Sequence, residues 1–163
     1  MKMFFPLLAM LVLLSACEPS AQDQLKAQMV DSPTEQADID KNLILQYAID
    51  NNLDVKSTPS GLHYTIEKPG EGEAHPDNGS LVTAHYHGML LDGKVFDSSV
   101  DRGEPLKFQL GGVIPGWQEA IPMLKKGGKG KFLIPSAMAY GARADGKVHA
   151  TYEVVEEVDV IDD

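Results

Sequence analysis

Between residues 86 and 117 the chain gathers Tyr86, Phe96, Asp97, Val113, Ile114 and Trp117. Five aromatic or aliphatic side chains and one acid are enough to line an apolar cup with a single carboxylate at its edge. A cup of that kind suits a proline ring. Other chemistry is poorly served. Ser98 and Ser99 lack a histidine and acid relay of the sort that activates a serine. His85 and His87 share one strand face and have only His63, His75 or His149 as a distant third ligand. Without a second ligand type to complete the set, no metal and no cofactor are expected. Gly127-Gly128-Lys129-Gly130 lacks the strand-to-helix setting of a phosphate loop and reads as a tight turn.

The elements that must position the cup are strands and turns. Leu62, Tyr64 and Ile66 alternate with polar residues before Pro69-Gly70-Glu71-Gly72 breaks the pattern. From Leu81 to Met89, Val82, Ala84 and Tyr86 share one face of a strand. Asp92-Gly93 between Leu90-Leu91 and Lys94-Val95-Phe96 is a hairpin signal. Leu106, Phe108 and Leu110 alternate, Lys131 to Pro135 forms a short strand, and Tyr152 to Val160 alternates again. Only Gly116 to about Met123 is helical in this region, kept short by Pro122. The fold class is therefore α+β: a twisted antiparallel β-sheet, a half-barrel, wrapped around one short α-helix.

Upstream, residues 17–31 are polar and read as a flexible spacer, in which Leu25 and Met29 support at most a transient helical turn. Ser32-Pro33-Thr34-Glu35 combines capping-box spacing with proline at the first helical position and predicts a helix from Pro33 to about Asn51, within an N-terminal unit of residues 32–56. Leu43, Ile44, Tyr47 and Ala48 form its buried face, Asp38, Asp40, Lys41 and Asp50 face water, and Asn51-Asn52 ends it. At under twenty residues it packs on its own domain, and a monomer is expected.

Residues 57–163 resemble the FKBP-type peptidyl-prolyl cis/trans isomerases. The matching segments are His85-Tyr86-His87-Gly88-Met89-Leu90, Asp92-Gly93-Lys94, Val95-Phe96-Asp97-Ser98-Ser99, Val113-Ile114-Pro115-Gly116-Trp117, Ile134-Pro135-Ser136, Ala139-Tyr140-Gly141 and His149-Ala150-Thr151. The resemblance implies catalytic positions at Tyr86, Phe96, Asp97, Trp117 and Tyr140, with Trp117 as the floor for a prolyl ring and Tyr140 donating to a substrate carbonyl. It implies substrate-binding positions at Arg102, Leu106, Val113, Ile114, Val148 and Val154, with a backbone N–H from Ile114. Asp97 would act electrostatically, its carboxylate held by Tyr86 and Arg102. The local alternative, that Asp97 caps the turn at Ser98-Ser99, stays open. On this reading Asp97→Leu or Trp117→Ala depresses turnover of an X-Pro peptide and leaves the circular dichroism intact.

Departures from the family pattern bear on strength, not on reaction type. Leu106 and Val154 stand where aromatic residues are usual. The loop Gly141 to Val148 is short and lacks a Pro-Pro pair. The runner-up function is accordingly an FKBP-fold chaperone or partner-binding module with little isomerase activity.

Residues 1–16 carry Lys2 and the apolar run Phe4 to Leu14, which at eleven residues is too short to span a bilayer and has signal-peptide form. Leu14-Ser15-Ala16-Cys17 looks like a bacterial lipobox, implying cleavage before Cys17 and acylation of that residue, the only cysteine of the chain. With Cys17 used by lipid no disulfide remains, and the fold must rest on packing. Removing the leader takes away one base, Lys2, and moves the formal charge from −10 to −11. So acidic a surface argues against nucleic acid as a partner. Glu18 follows Cys17 where aspartate commonly signals inner-membrane retention, so the expected location is the bacterial cell envelope, lipid-anchored at the outer membrane and facing the periplasm. The expected partners are proline-containing polypeptide clients and, through the Cys17 lipid, a membrane.

Overall fold

The computed structural model describes residues 18–141 and the backbone of residues 151–161. The leader, Cys17 and residues 142–150, with Val148 and His149, lie outside the described residues. Two helices come first, α1 (Ala21–Lys26) and α2 (Gln36–Asp50), then strands β1 (Lys56–Ser57), β2 (His63–Lys68), β3 (Leu81–Leu90) and β4 (Val95–Ser98). A one-turn helix α3 (Ser99–Arg102), β5 (Leu106–Gln109), α4 (Pro115–Ala120), β6 (Gly128–Ile134) and β7 (Thr151–Ile161) complete the order.

The α+β class read from the sequence holds. Seven antiparallel strands run β1-β2-β6-β7-β3-β4, with β5 also pairing β3. One face packs on α4: Leu62, Val82, Ala84, Tyr86, Phe108, Leu110, Phe132 and Ile134 from the sheet side meet Trp117, Ala120, Ile121 and Leu124. The opposite face is covered by α1 and α2, whose Leu25, Ile44, Leu45 and Ala48 cluster with Leu133 and with Met89 and Leu91. Alternation along β6 explains both: Phe132 and Ile134 point toward α4, Leu133 toward α2.

The N-terminal region departs from the sequence reading in three places. Within the segment read as a spacer, Ser20 and Asp23 close a capping box and Leu25 is buried against α2, so α1 is a helix. Second, α2 begins at Gln36, not Pro33, and its N-cap Glu35 makes no side-chain bond. The Asn42 side chain bonds both the N–H and the C=O of Val30 at 2.8 Å, and the chain then turns at Ser32 (φ 53°), leaving Pro33 ahead of the helix. Third, the buried face is Asp40, Ile44, Leu45 and Ala48, while Leu43 is 50% exposed. The end is as read: Asn52 adopts a left-handed conformation (φ 52°), with Asn52 N–H to Ile49 O and Leu53 N–H to Ala48 O closing the helix.

The central strand β3 places the site. Its first half pairs β5 (Leu81–Ala84) and its second half β4 (His87–Met89). Tyr86 lies in the gap between those partners. There the buried Ser99 hydroxyl at the start of α3 stands in for a neighbouring strand, accepting from Tyr86 N–H at 2.7 Å and donating to Tyr86 C=O at 3.2 Å.

Candidate functional site

Four elements converge on one corner of the α4 side of the sheet. Tyr86 on β3 donates through its hydroxyl to Asp97 Oδ2 on β4, and Arg102 on α3 pairs with Asp97 Oδ1. Arg102 Nη2 also donates to the Tyr86 hydroxyl at 3.1 Å, and its guanidinium lies 5.6 Å from the Tyr86 ring centroid. The three groups form a closed triangle. The one-turn helix α3 is capped by Ser98, whose hydroxyl accepts from Asp101 N–H at 3.0 Å. The Asp97 carboxylate also takes the Ser98 N–H, so it serves the turn as well as the triangle.

The triangle stands beside an aromatic floor. Trp117, 5% exposed, meets the Tyr86 ring edge-on at 5.0 Å and 82° and the Phe108 ring at 5.1 Å and 59°. Trp117 can sit this low because Pro115 opens α4 at its first turn and Gly116 follows. A Cβ on Gly116 would lie 2.5 Å from Ile134 Cγ2, so only glycine lets the helix rest directly on β6. The rim is different in character. Phe96 and Tyr140 are 38% and 44% exposed and pack edge-to-face at 5.3 Å. Phe96 is seated by Gly88, where a Cβ would come within 2.8 Å of its ring. Leu106, Val113 and Ile114 are partly buried against the same core.

Electrostatically the Asp97 carboxylate stays ionised, paired with the Arg102 guanidinium. Burial pushes the Asp97 carboxyl up, but the hydrogen bonds from Tyr86 and Arg102 outweigh it and hold the group below the usual carboxylate range. Burial, reinforced by the bond to Asp97, raises the Tyr86 phenol, which therefore stays protonated.

A family model described as FKBP-type peptidyl-prolyl cis-trans isomerase matches residues 72–161. The chain belongs to that family. It is 49% identical over 107 residues to the FKBP-type isomerase FkpA of Aeromonas hydrophila, a match covering 66% of this chain and 40% of that relative. The chain therefore spans well under half the length of this relative. Among solved structures, it is similar to FkpA from Escherichia coli with a TM-score of 0.66 and 39% identity, covering 85% of this chain and 63% of the other. It is likewise similar to a peptidyl-prolyl isomerase from Pseudomonas syringae pv. tomato DC3000, with a TM-score of 0.60 and 34% identity over 82% of this chain and 97% of that one.

Within this FKBP fold the sequence-predicted residues fall into two tiers and a remainder. Tyr86, Asp97, Arg102 and Trp117 meet at the floor; Phe96 and Tyr140 meet at the rim. The β7 backbone at Val154 pairs His87 and Lys131, and its side chain lies outside the described residues, as do Val148 and Cys17. His85 and His87 reach Ser99 and Ser98 hydroxyls at 3.2 and 2.9 Å. Three further residues shape the site. Phe108 braces Trp117, and its inward alternation with Leu106 was the available signal. Ser99 fills the sheet gap at Tyr86, for which the sequence has no local signal. Gln118 Nε2 bonds the Val113 carbonyl at 2.7 Å and so fixes the segment entering α4.

The burial of Trp117 revises one expectation. Its ring belongs to the core, so Trp117→Ala perturbs stability as well as the site.

Proposed function

We propose that this chain accelerates cis/trans rotation about X-Pro bonds in proline-containing polypeptides. The observation that carries the reading is the Tyr86–Asp97–Arg102 triangle beside the Trp117 ring, below an open aromatic rim. A planar X-Pro amide is dipolar and resonance-stabilised, and its rotation faces a barrier of about 18–20 kcal/mol. The twisted state has lost that resonance and much of the charge separation, so dry apolar walls favour it relative to the planar state. A ten-thousandfold acceleration needs only about 5.4 kcal/mol, at 1.36 per decade.

In this reading the prolyl ring rests on Trp117, with Phe96, Leu106, Val113 and Ile114 around it. The Tyr140 hydroxyl and the Ile114 N–H bond the flanking carbonyls. Asp97, held ionised and in one orientation by Tyr86, Arg102 and the Ser98 N–H, faces the carbon of the twisting carbonyl. No covalent intermediate is formed. The test is a protease-coupled isomerisation assay on a short proline peptide: saturable catalysis supports the reading, and its absence in a folded chain refutes it. The exposure of Val95, Phe96, Val100 and Tyr140 favours a second reading, a client-binding module with little turnover. Protection of a client from aggregation without catalysis would select that one.

The Leu14-Ser15-Ala16-Cys17 motif supports a lipid on Cys17, which would tether a monomeric domain to the envelope membrane, at the outer membrane and facing the periplasm. Mass spectrometry of the N-terminal peptide from the membrane fraction tests this. An unmodified Cys17 refutes it.

A further inference from the structure

The N-terminal helices bring one carboxylate into the interior, and it serves another element. Asp40 on α2 is 1% exposed. Its Oδ2 accepts from the Ser136 N–H at 2.8 Å and from the Ser136 hydroxyl, 96 residues away, and its Oδ1 accepts from Gln36 Nε2 at 2.7 Å. A buried carboxylate is costly unless donors converge on it, and three do. Two of them come from the first residue of a 3₁₀ turn, Ser136–Met138, which follows Pro135 and has no side-chain cap of its own. Asp40 supplies from across the molecule what a capping side chain ordinarily supplies from the preceding residue.

That turn leads into the site. Ala139 N–H bonds Ser136 O at 3.1 Å, and Met138 and Ala139 pack against the core that holds Trp117. A Cβ on Gly116 would lie 3.1 Å from the Met138 carbonyl, so the turn abuts the start of α4. Next in the chain is Tyr140, against Phe96. On the α2 side a cleft of about 420 Å³ opens between α2, residues 57–61 and residues 135–138. The core holds the turn on one side, and on the side of this cleft the Asp40 bonds hold it. Asp40 also lies outside the family match at residues 72–161.

We propose that Asp40 is a positioning residue for isomerisation: by holding Ser136 it sets the turn that carries Tyr140 and so the place of that phenol at the rim. The catalytic half of this inference rests on the isomerase reading above; the positional half stands on the geometry alone. Helix α2 is then part of the working unit.

The test uses the full chain with carbon-13-labelled tyrosine, the Tyr140 ring resonances being assigned by Tyr140→Phe. Asp40→Asn keeps an oxygen for Ser136, and Gln36 can turn its amide to meet the new NH₂ group; Asp40→Leu keeps bulk and removes the acceptors. The expected result is a shift of the Tyr140 resonances and at least a five-fold loss of kcat/KM in Asp40→Leu, with Asp40→Asn within two-fold of the parent. On a Tyr140→Phe background the Asp40→Leu loss should shrink below two-fold. If Asp40→Leu fails to fold, Ser136→Ala, which keeps the N–H, should still shift the Tyr140 resonances, by less than Asp40→Leu would, and that shift then decides. Unshifted Tyr140 resonances in the folded variant, or an equal loss on both backgrounds, overturns the proposal. A parent chain without turnover overturns the isomerase reading and the catalytic half with it, while the resonances still decide the positional half.

Discussion

Trp117→Ala separates the packing role of the indole from the floor role proposed for it. The ring is 5% exposed and meets Tyr86 edge-on and Phe108 at a tilt. Truncating a buried tryptophan to alanine costs about 3–5 kcal/mol, against a total stability of roughly 5–15 kcal/mol. At about 2–4 °C per kcal/mol for a domain of this size, the melting temperature should fall by roughly 6–20 °C. The effect on catalysis is a separate quantity. A prolyl ring that loses its floor loses the burial of up to three methylenes at about 0.8 kcal/mol each, roughly 2.4 kcal/mol or about sixty-fold in kcat/KM. The assay is protease-coupled isomerisation at 10 °C, where the variant remains folded by circular dichroism, beside a thermal melt of the same sample. Trp117→Leu, which fills part of the space, should recover several degrees of the melt and less of the turnover. A variant melting within 2 °C of the parent would show that the indole is not core. A folded variant within three-fold of parental kcat/KM would show that it is not the floor.

Asp97→Leu should behave oppositely: the Asp97 and Arg102 side chains are 43% and 42% exposed, so losing their pair changes stability by less than about 1 kcal/mol, while kcat/KM falls ten-fold or more. A folded variant with parental turnover removes Asp97 from the mechanism. Ser99→Ala leaves the buried Tyr86 N–H and C=O without their shared partner and should destabilise by about 1–3 kcal/mol in urea titration; an unchanged midpoint would show that the sheet gap closes without the hydroxyl. The Asp97 carboxyl titrates below its ordinary 3.8, so its contribution to folding is whole above 3.8 and is lost as pH falls through the lower folded value. The Tyr86 phenol stays protonated beyond 10.0. Turnover should therefore be flat from about pH 5 to pH 9 as far as these groups decide it, and a midpoint near pH 6 that survives in Asp97→Asn would point to a different titrating group.

What could be read from the sequence follows the reach of each signal. Alternation reports a face, so the sequence puts Val82, Ala84 and Tyr86 together, and the Asp92-Gly93 turn sets β4 beside β3. The pocket residues came from spaced family motifs, because nothing in local patterning says that Trp117 will meet Tyr86, thirty-one positions earlier. Long-range burial was the part without a signal. Leu133 reads only as part of the short strand from Lys131 to Pro135, with no face assigned, and it is 1% exposed because α2 covers it. Asp40 shows the limit most sharply. A charged residue on a helix is assigned to water by its type, and that rule fails only where donors from elsewhere replace the water. Here they come from the first residue of the turn that carries Tyr140. The exception to the pattern is thus a connection between elements, and its position next to the rim is the physical reason to look for function there.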